Sequence, residues 1–371
     1  MKKFKLISII LLTAIISSFL TYNYTKETND YAIVDRAKAM LEKYYYEDID
    51  SDKQTEGMLY GLAQSLGDPY TNYLSSKDYE YYDQLATGSY SGLGISISSN
   101  KDDRYITIVT TFDNTPAKEA GLATGDKIIA IDGVAYTSDK LDDASSKMKG
   151  KEGTKVKITV LKKGKKSTKE LTLTRRKINI PSTESKLINN NIAYIKINSF
   201  DGRMAEEFAG VFNNLVTKGA KKLIIDLRDN PGGLVGEAVS VADMFLDKGK
   251  AIFYSQNKEG KKDWTYANER KTEIPIIVLT NGGSASASEI LTGALRDNKL
   301  AKVVGEKTYG KGVIQGIYPL NPLRTSDGYL KITIAKYFTP NGTDINHKGI
   351  VPDIKVKGEK AQLERAIDEL K

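Results

Sequence analysis

Thr280-Asn281-Gly282-Gly283-Ser284-Ala285-Ser286-Ala287-Ser288-Glu289 follows the apolar run Ile274 to Leu279 and opens a helix-like stretch. The run reads as a buried strand, and the glycines and small residues after it as a strand-to-helix turn. Such a turn can hold a hydroxyl residue clear of its own backbone, where a nucleophile is needed. A second segment, Thr308-Tyr309-Gly310-Lys311-Gly312, offers a lysine flanked by glycines. The chain has no cysteine and one histidine. A cysteine nucleophile is therefore excluded, and a histidine-based triad would have to use His347. A serine activated by a lysine is the remaining simple route to nucleophilic catalysis.

The same alternation extends to either side. From Asn191 the pattern predicts strands at Ala193 to Ile197, Leu223 to Leu227, Ile276 to Leu279 and Val303-Val304. Helices are predicted between them at Met204 to Leu215, Leu234 to Phe245 and Ser286 to Leu295. Strand and helix in turn imply βαβ units and a largely parallel sheet. A hairpin follows, Val313 to Tyr318 against Tyr329 to Tyr337, and then a short amphipathic helix, Ala361 to Leu370.

Upstream, from about Gly88, short strands replace the βαβ pattern. Gly92-Leu93-Gly94-Ile95, the Pro116-Ala117 and Ala120-Gly121-Leu122 turn, and Gly125-Asp126 to Ile131-Asp132-Gly133 occur in the order seen in PDZ domains, which residues 88–176 resemble. The glycines let the amides of Gly92, Leu93, Gly94 and Ile95 point at a peptide's terminal carboxylate, while the next strand adds the peptide as an extra β-strand. Leu93, Ile95, Ile97, Ala144 and Met148 are expected to line the pocket for the last side chain.

Residues 30–66 read as two amphipathic helices. Ile33, Ala37, Met40, Leu41 and Tyr44 share one face, and Gly67-Asp68-Pro69 ends the second helix. Before them, Leu6 to Leu20 is almost wholly apolar and follows Lys2, Lys3 and Lys5. This predicts a retained signal anchor over residues 1–24, and a single-pass cell-membrane protein with its catalytic part outside the cytoplasm. The net charge of +8 is spread along the chain and reads as a solvated basic surface, not a nucleic-acid site. No His and carboxylate spacing suits a metal, and no cofactor is expected.

The pieces together resemble the carboxyl-terminal processing peptidases, or tail-specific serine proteases. The likeness runs from about Asp30 to the C-terminus. It includes Ser65-Leu66-Gly67-Asp68-Pro69-Tyr70-Thr71, Asp226-Leu227-Arg228-Asp229-Asn230-Pro231-Gly232-Gly233, Thr339-Pro340-Asn341-Gly342 and Gly349-Ile350-Val351-Pro352-Asp353. The resemblance implies an α/β crotonase-like or Clp-protease-like core with an inserted β-rich PDZ domain and an N-terminal helical region. The expected boundaries are 1–24 for the anchor, 25–87 for the helical region, 88–176 for the PDZ domain, 177–357 for the protease core and 358–371 for the C-terminal helix.

Three serines, Ser284, Ser286 and Ser288, compete for the nucleophile. The family places it three residues before the glutamate, which is Ser286 before Glu289, with Lys311 as base and Gln315 assisting the lysine. A direct Lys311–Gln315 contact needs a bend, because i to i+4 spans ~13 Å in an extended chain. Ser284 and Ser288 are expected to cap the helix, and Glu289 to stabilise its first turn or position its neighbours. The Ala287 amide and the Gly232-Gly233 turn, Gly232 in particular, are the expected oxyanion donors. His347 is expected to be structural or solvated. The implied activity is that of a membrane-anchored serine endopeptidase acting through an acyl-enzyme on protein or peptide substrates with free C-termini. A homo-oligomer is allowed. Two other readings share parts of this sequence: a non-catalytic PDZ receptor that uses the protease body as a platform, and a crotonase-type acyl-CoA enzyme.

Overall fold

A computed structural model describes residues 13–18, 21, 31–99, 104–268, 272–323 and 327–371. The chain divides into two units, residues 1–67 and 68–371. The first contributes α1 (Ala32–Tyr44) and α2 (Ser51–Gln64). Asp50 caps α2 by accepting from the Asp52 and Lys53 amides at 3.1 Å each. Those bonds satisfy two of the four amides that a helix start leaves unpaired. Ile33, Met40, Leu41 and Tyr44 are exposed.

The expected membrane-spanning anchor, and with it the single-pass membrane location, is corrected. Among the described residues no helix is long and apolar enough to cross a membrane. A span needs about 20 apolar residues, and the longest described helices have 14. Lys2, Lys3, Lys5 and much of Leu6 to Leu20 lie outside the described residues.

The second unit begins with β1 (Asn72–Leu74), α3 (Ser76–Thr87) and β2 (Ser89–Gly92). A β-rich domain follows. It comprises β3 (Ile95–Ser98), β4 (Ile106–Thr111), α4 (Pro116–Glu119), β5 (Lys127–Ile131), β6 (Val134–Ala135), α5 (Leu141–Met148), β7 (Lys155–Leu161) and β8 (Thr168–Thr174). Its sheet has the order β3-β4-β5-β7-β8 around a core that includes Ile106, Ile128, Ile158 and Leu93. Strand β9 (Arg176–Asn179) pairs antiparallel with β2, so the chain enters and leaves this domain through one two-stranded ribbon.

The rest is the α/β core: β10 (Thr183–Ile188), β11 (Ile192–Ile197), α6 (Met204–Thr217), β12 (Lys222–Asp226), α7 (Val235–Asp243), β13 (Ala251–Gln256), β14 (Lys262–Tyr266), β15 (Ile276–Thr280), α8 (Ala287–Asp297), β16 (Ala301–Gly305), β17 (Val313–Pro319), β18 (Tyr329–Phe338), β19 (Ile354–Lys355) and α9 (Glu359–Glu369). The main sheet has the order β10-β11-β12-β15-β16-β19 and is parallel except for β10. Apolar residues on both faces of β12 and β15 fit a sheet covered on both sides. Helices α6, α7 and α8 pack on one face, and Ala366 and Leu370 from the C-terminal segment on the other. Strands β12, β15 and β16 are neighbours. Their carboxyl ends therefore bring residues 227–233, 281–287 and 306–311 to one edge, where open α/β sheets form their sites. A second sheet, β1-β18-β13-β14 with β17 on β18, brings Tyr337 to the same place.

Candidate active site

Ser286 ends the turn between β15 and α8, with φ 56° and ψ −115°. A positive φ at a non-glycine residue is strained, at a cost of ~1–3 kcal/mol, and persists only where the surroundings enforce it. Two loops provide the enforcement. Ser284 Oγ donates to the Leu227 carbonyl at 2.7 Å, and Ser288 Oγ to the Asn230 carbonyl at 3.0 Å. These serines thus stitch the turn to the 227–230 segment, in place of the helix capping expected of them. The buried Asn230 completes the stitch: its carbonyl accepts from the Ala285 amide, and its Nδ2 donates to the Ile197 carbonyl.

Residues 287–295 are buried without interruption, so α8 has no solvent face to hold its polar side chains. Each must find a partner inside. Glu289 finds four. Its Oε2 accepts from the Ser286 and Lys311 amides, both at 2.9 Å. Its Oε1 accepts from the Gly310 amide at 2.8 Å and from Thr308 Oγ1 at 2.6 Å. Burial pushes the Glu289 carboxyl above its ordinary pKa, and the four donors act against that shift. Four donors suit the acceptor-only ionised form. Glu289 therefore ties the Ser286 turn to the 308–311 loop.

Tyr337 makes a second tie. Its hydroxyl lies 3.0 Å from the Ser286 carbonyl and 2.5 Å from the Lys311 carbonyl. Burial holds its pKa well above the usual tyrosine range, so the hydroxyl keeps its proton as a donor. Sequence reading placed Tyr337 at the end of a strand and gave it no role. No local pattern joins residues 286, 311 and 337.

Lys311 is half-buried, and its ammonium nitrogen lies 4.9 Å from the centre of the Tyr70 ring. Burial is the largest cause lowering its pKa, and the charge of Lys331 adds to it. Asp68 and Glu289 pull the other way. The flanking glycines allow this packing. A Cβ at Gly310 would stand 2.9 Å from the Gly349 amide nitrogen, and one at Gly312 2.5 Å from that of Asn346. His347 is exposed, and its amide donates to the Gly310 carbonyl, which fits the structural part expected of it.

Gln315 sits just after a register shift between Ile314 and Gln315. Its Nε2 donates to Thr333 Oγ1 at 3.2 Å. The Thr333 amide donates to Thr71 Oγ1, which donates to Asp68 Oδ2. The Asp68-Pro69-Tyr70-Thr71 segment thus supplies both a ring against Lys311 and an anchor for the Gln315 strand.

A Cβ at Gly232 would stand 2.8 Å from Ser286 Cβ and 3.0 Å from the Ala287 nitrogen, so only glycine allows this approach. The Gly232 amide donates to Asn230 Oδ1 at 2.8 Å. Ala287 is the first residue of α8, where the amide has no acceptor within the helix. Arg228, also buried, forks onto Asp226, with its Nε 2.9 Å from Oδ1. It also donates to the Glu359 carbonyl and Gln362 Oε1 of α9. The C-terminal helix is thereby fixed to the strand that leads into the Gly232 turn.

In the β-rich domain, Leu93, Ile95, Ile97 and Met148 line a cavity of about 330 Å³ between β3 and α5, while Ala144 is wholly in the core. Among the described residues β3 pairs only with β4, leaving its other edge open beside this cavity. Gly94 adopts φ 79°, and a Cβ there would collide with Thr115.

The chain is similar to known proteins. The family model for Peptidase family S41 matches residues 191–356, that for the PDZ domain 91–173, and that for the Activating protease CtpB N-terminal domain 17–78. Carboxy-terminal processing protease CtpA of Bacillus subtilis is 34% identical over 96% of this chain and 78% of its own length. A carboxyl-terminal-processing protease of Synechocystis is 37% identical over 85% of this chain and 74% of its own. The solved structure of a photosystem II D1 C-terminal processing protease aligns with a TM-score of 0.50 at 29% identity, over 86% of each chain. With the expected α/β core, inserted PDZ domain and N-terminal helices all present, the chain belongs to peptidase family S41, among the carboxyl-terminal processing serine proteases.

Proposed function

We propose that this serine protease works through a Ser286–Lys311 dyad and an acyl-enzyme, and selects protein substrates by their free C-termini at the PDZ domain. The observation that carries the reading is the double tie between Ser286 and Lys311 through Glu289 and Tyr337. It fixes both backbones while leaving each side chain to chemistry.

Neutral Lys311 takes the Ser286 proton as Oγ bonds to the scissile carbonyl carbon. The C–N bond then breaks, and the leaving amine takes that proton from Lys311. Water repeats the sequence on the ester, giving its proton to Lys311 and releasing the acid while Ser286 recovers its own. Free lysine titrates at ~10.4, and each unit of depression corresponds to ~1.36 kcal/mol, so the burial that lowers the Lys311 pKa is what makes the base available. In this reading the Ala287 amide, at the positive end of α8, donates to the oxyanion. In this structure Gly232 gives its amide to Asn230, so service as a second donor requires the turn to release it. Gln315 acts through Thr333 and Thr71 on the wall of the lysine pocket. At the PDZ domain, the Gly92 to Ile95 loop receives the carboxylate and the open edge of β3 the peptide strand.

Ser286→Ala and Lys311→Ala test the dyad. Each is expected to abolish hydrolysis of a fluorogenic peptide while circular dichroism stays native. Near-normal turnover by Lys311→Ala would remove the lysine from the mechanism.

A further inference from the structure

The cavity beside β3 is not made by the PDZ domain alone. Leu93, Ile97 and Met148 form its apolar floor, but Gln84, Tyr90 and Ile180 also line it. All three lie outside the PDZ-matching residues 91–173. Gln84 belongs to α3, and Tyr90 to strand β2 of the ribbon. Tyr90 pairs with Ile178 of β9, and two residues further on the Ile180 amide donates to the Gly88 carbonyl at 3.0 Å. Tyr90 and Ile180 therefore reach the cavity from the one ribbon that joins the PDZ domain to the rest of the chain.

The contacts are close. A Cβ at Gly92 would stand 2.7 Å from a carbon of the Tyr90 ring, so the ring lies on the loop that would take a carboxylate. Burial raises the Tyr90 phenol above its ordinary pKa, with hydrogen bonding to the Gly94 and Ile95 amides opposing it. The Lys149 ammonium nitrogen is 5.4 Å from the centre of the same ring and 3.3 Å from Gln84 Oε1. A cation and apolar walls thus meet at one end of a groove with an open strand edge. That combination suits a peptide terminus carrying a carboxylate and an apolar last side chain.

We infer that Gln84, Tyr90 and Ile180 are specificity-determining residues of the C-terminus pocket, closing its wall and setting the size of the terminal side chain it takes. The inference rests on the proposed reading of the PDZ domain as the C-terminus receptor. It adds that the receptor is incomplete without α3 and the β2–β9 ribbon. Apolar pockets discriminate by about 10–200-fold per methylene, so trimming the wall should change the order of preference measurably.

The test uses the whole chain carrying Ser286→Ala, so that ligands are not consumed. Labelled peptides identical except for a last residue of Ala, Val, Leu or Phe are titrated as free acids, with the Leu peptide also as its C-terminal amide. Ile180→Ala, and separately Tyr90→Leu, are added, with thermal unfolding to confirm the fold. The expected result is that both variants shift preference toward the Phe-ended peptide over the Ala-ended one by roughly tenfold, within that range. An unchanged order in both folded variants, with the free acid still preferred to the amide, would overturn the shared wall and leave the PDZ reading standing. Equal binding of acid and amide by the parent would overturn both.

Discussion

The backbone amides of Ser286 and Lys311 share one acceptor atom, Oε2 of Glu289, at 2.9 Å each. Ser286 and Lys311 lie 25 positions apart in the sequence, across a helix and a strand, yet one buried carboxylate fixes both. Glu289→Gln keeps the shape but turns an amide NH2 toward donors. Each unmade buried bond costs ~1–3 kcal/mol. The expected outcome is a roughly ten- to hundredfold fall in kcat/KM, by ~1.36 kcal/mol per factor of ten, and a lower Tm. Steady-state kinetics with thermal unfolding checks it; unchanged kinetics would mean that the tie is dispensable.

Tyr337→Phe removes only the hydroxyl near the Ser286 and Lys311 carbonyls. The ring and its edge contact with Phe253 remain. The single O–H serves these two carbonyls, of which that of Ser286 is buried, so its loss leaves a buried acceptor unpaired and predicts destabilisation of ~1–3 kcal/mol. Because the hydroxyl touches backbone and not substrate, kcat should fall while KM holds. Denaturant unfolding and a substrate titration give the two numbers.

Much of this was legible in advance, for physical reasons. Apolar runs such as Leu223 to Leu227 and Ile276 to Leu279 declare buried parallel strands, and strand-to-helix turns after them declare where side chains can gather. The β13–β14 hairpin was not legible, since Ser255 to Asp263 is polar and reads as a loop. Nor was α3, whose tyrosines and charged residues show no clean helical stripe. At the candidate site, the family resemblance singled out Ser286 from Ser284 and Ser288, while the turn carrying all three and the Lys311 loop were readable from local motifs. The bonds that unite them were not, because Thr308, Gly310, Lys311 and Tyr337 meet Glu289 or Ser286 only through strand order. Gln315 shows the same limit: a register shift beside it, invisible in sequence, decides its partner.

Activity should rise with pH as Lys311 loses its proton, along a limb below the ordinary lysine range. Burial sets most of that depression and Lys331 adds to it, while Asp68 and Glu289 oppose it. Removing a positive neighbour makes the ammonium form easier to keep. Lys331→Gln therefore should move the limb to higher pH. A pH profile of kcat/KM for parent and variant measures the shift, and a move to lower pH would contradict the assigned sign.

Gly232→Ala should abolish activity. Its Cβ would sit 2.8 Å from Ser286 Cβ and from the Ala285 carbonyl oxygen, on a residue with φ +104°. Gly236→Ala is the matched comparison: it lies in α7, nothing stands within 4 Å of its Cβ, and it should retain activity. Activity lost in both variants would place the effect in the helix, not in the turn.

The dyad is tested most directly by the rate at which a fluorophosphonate probe labels Ser286, followed by mass spectrometry of the intact chain and of the peptide that carries the serine. The parent should gain one adduct on Ser286, faster as pH rises. Lys311→Ala, with a native circular dichroism spectrum, should label slower by orders of magnitude. Labelling of Lys311→Ala at the parent's rate, or an adduct on Ser284 or Ser288 in place of Ser286, would contradict the account.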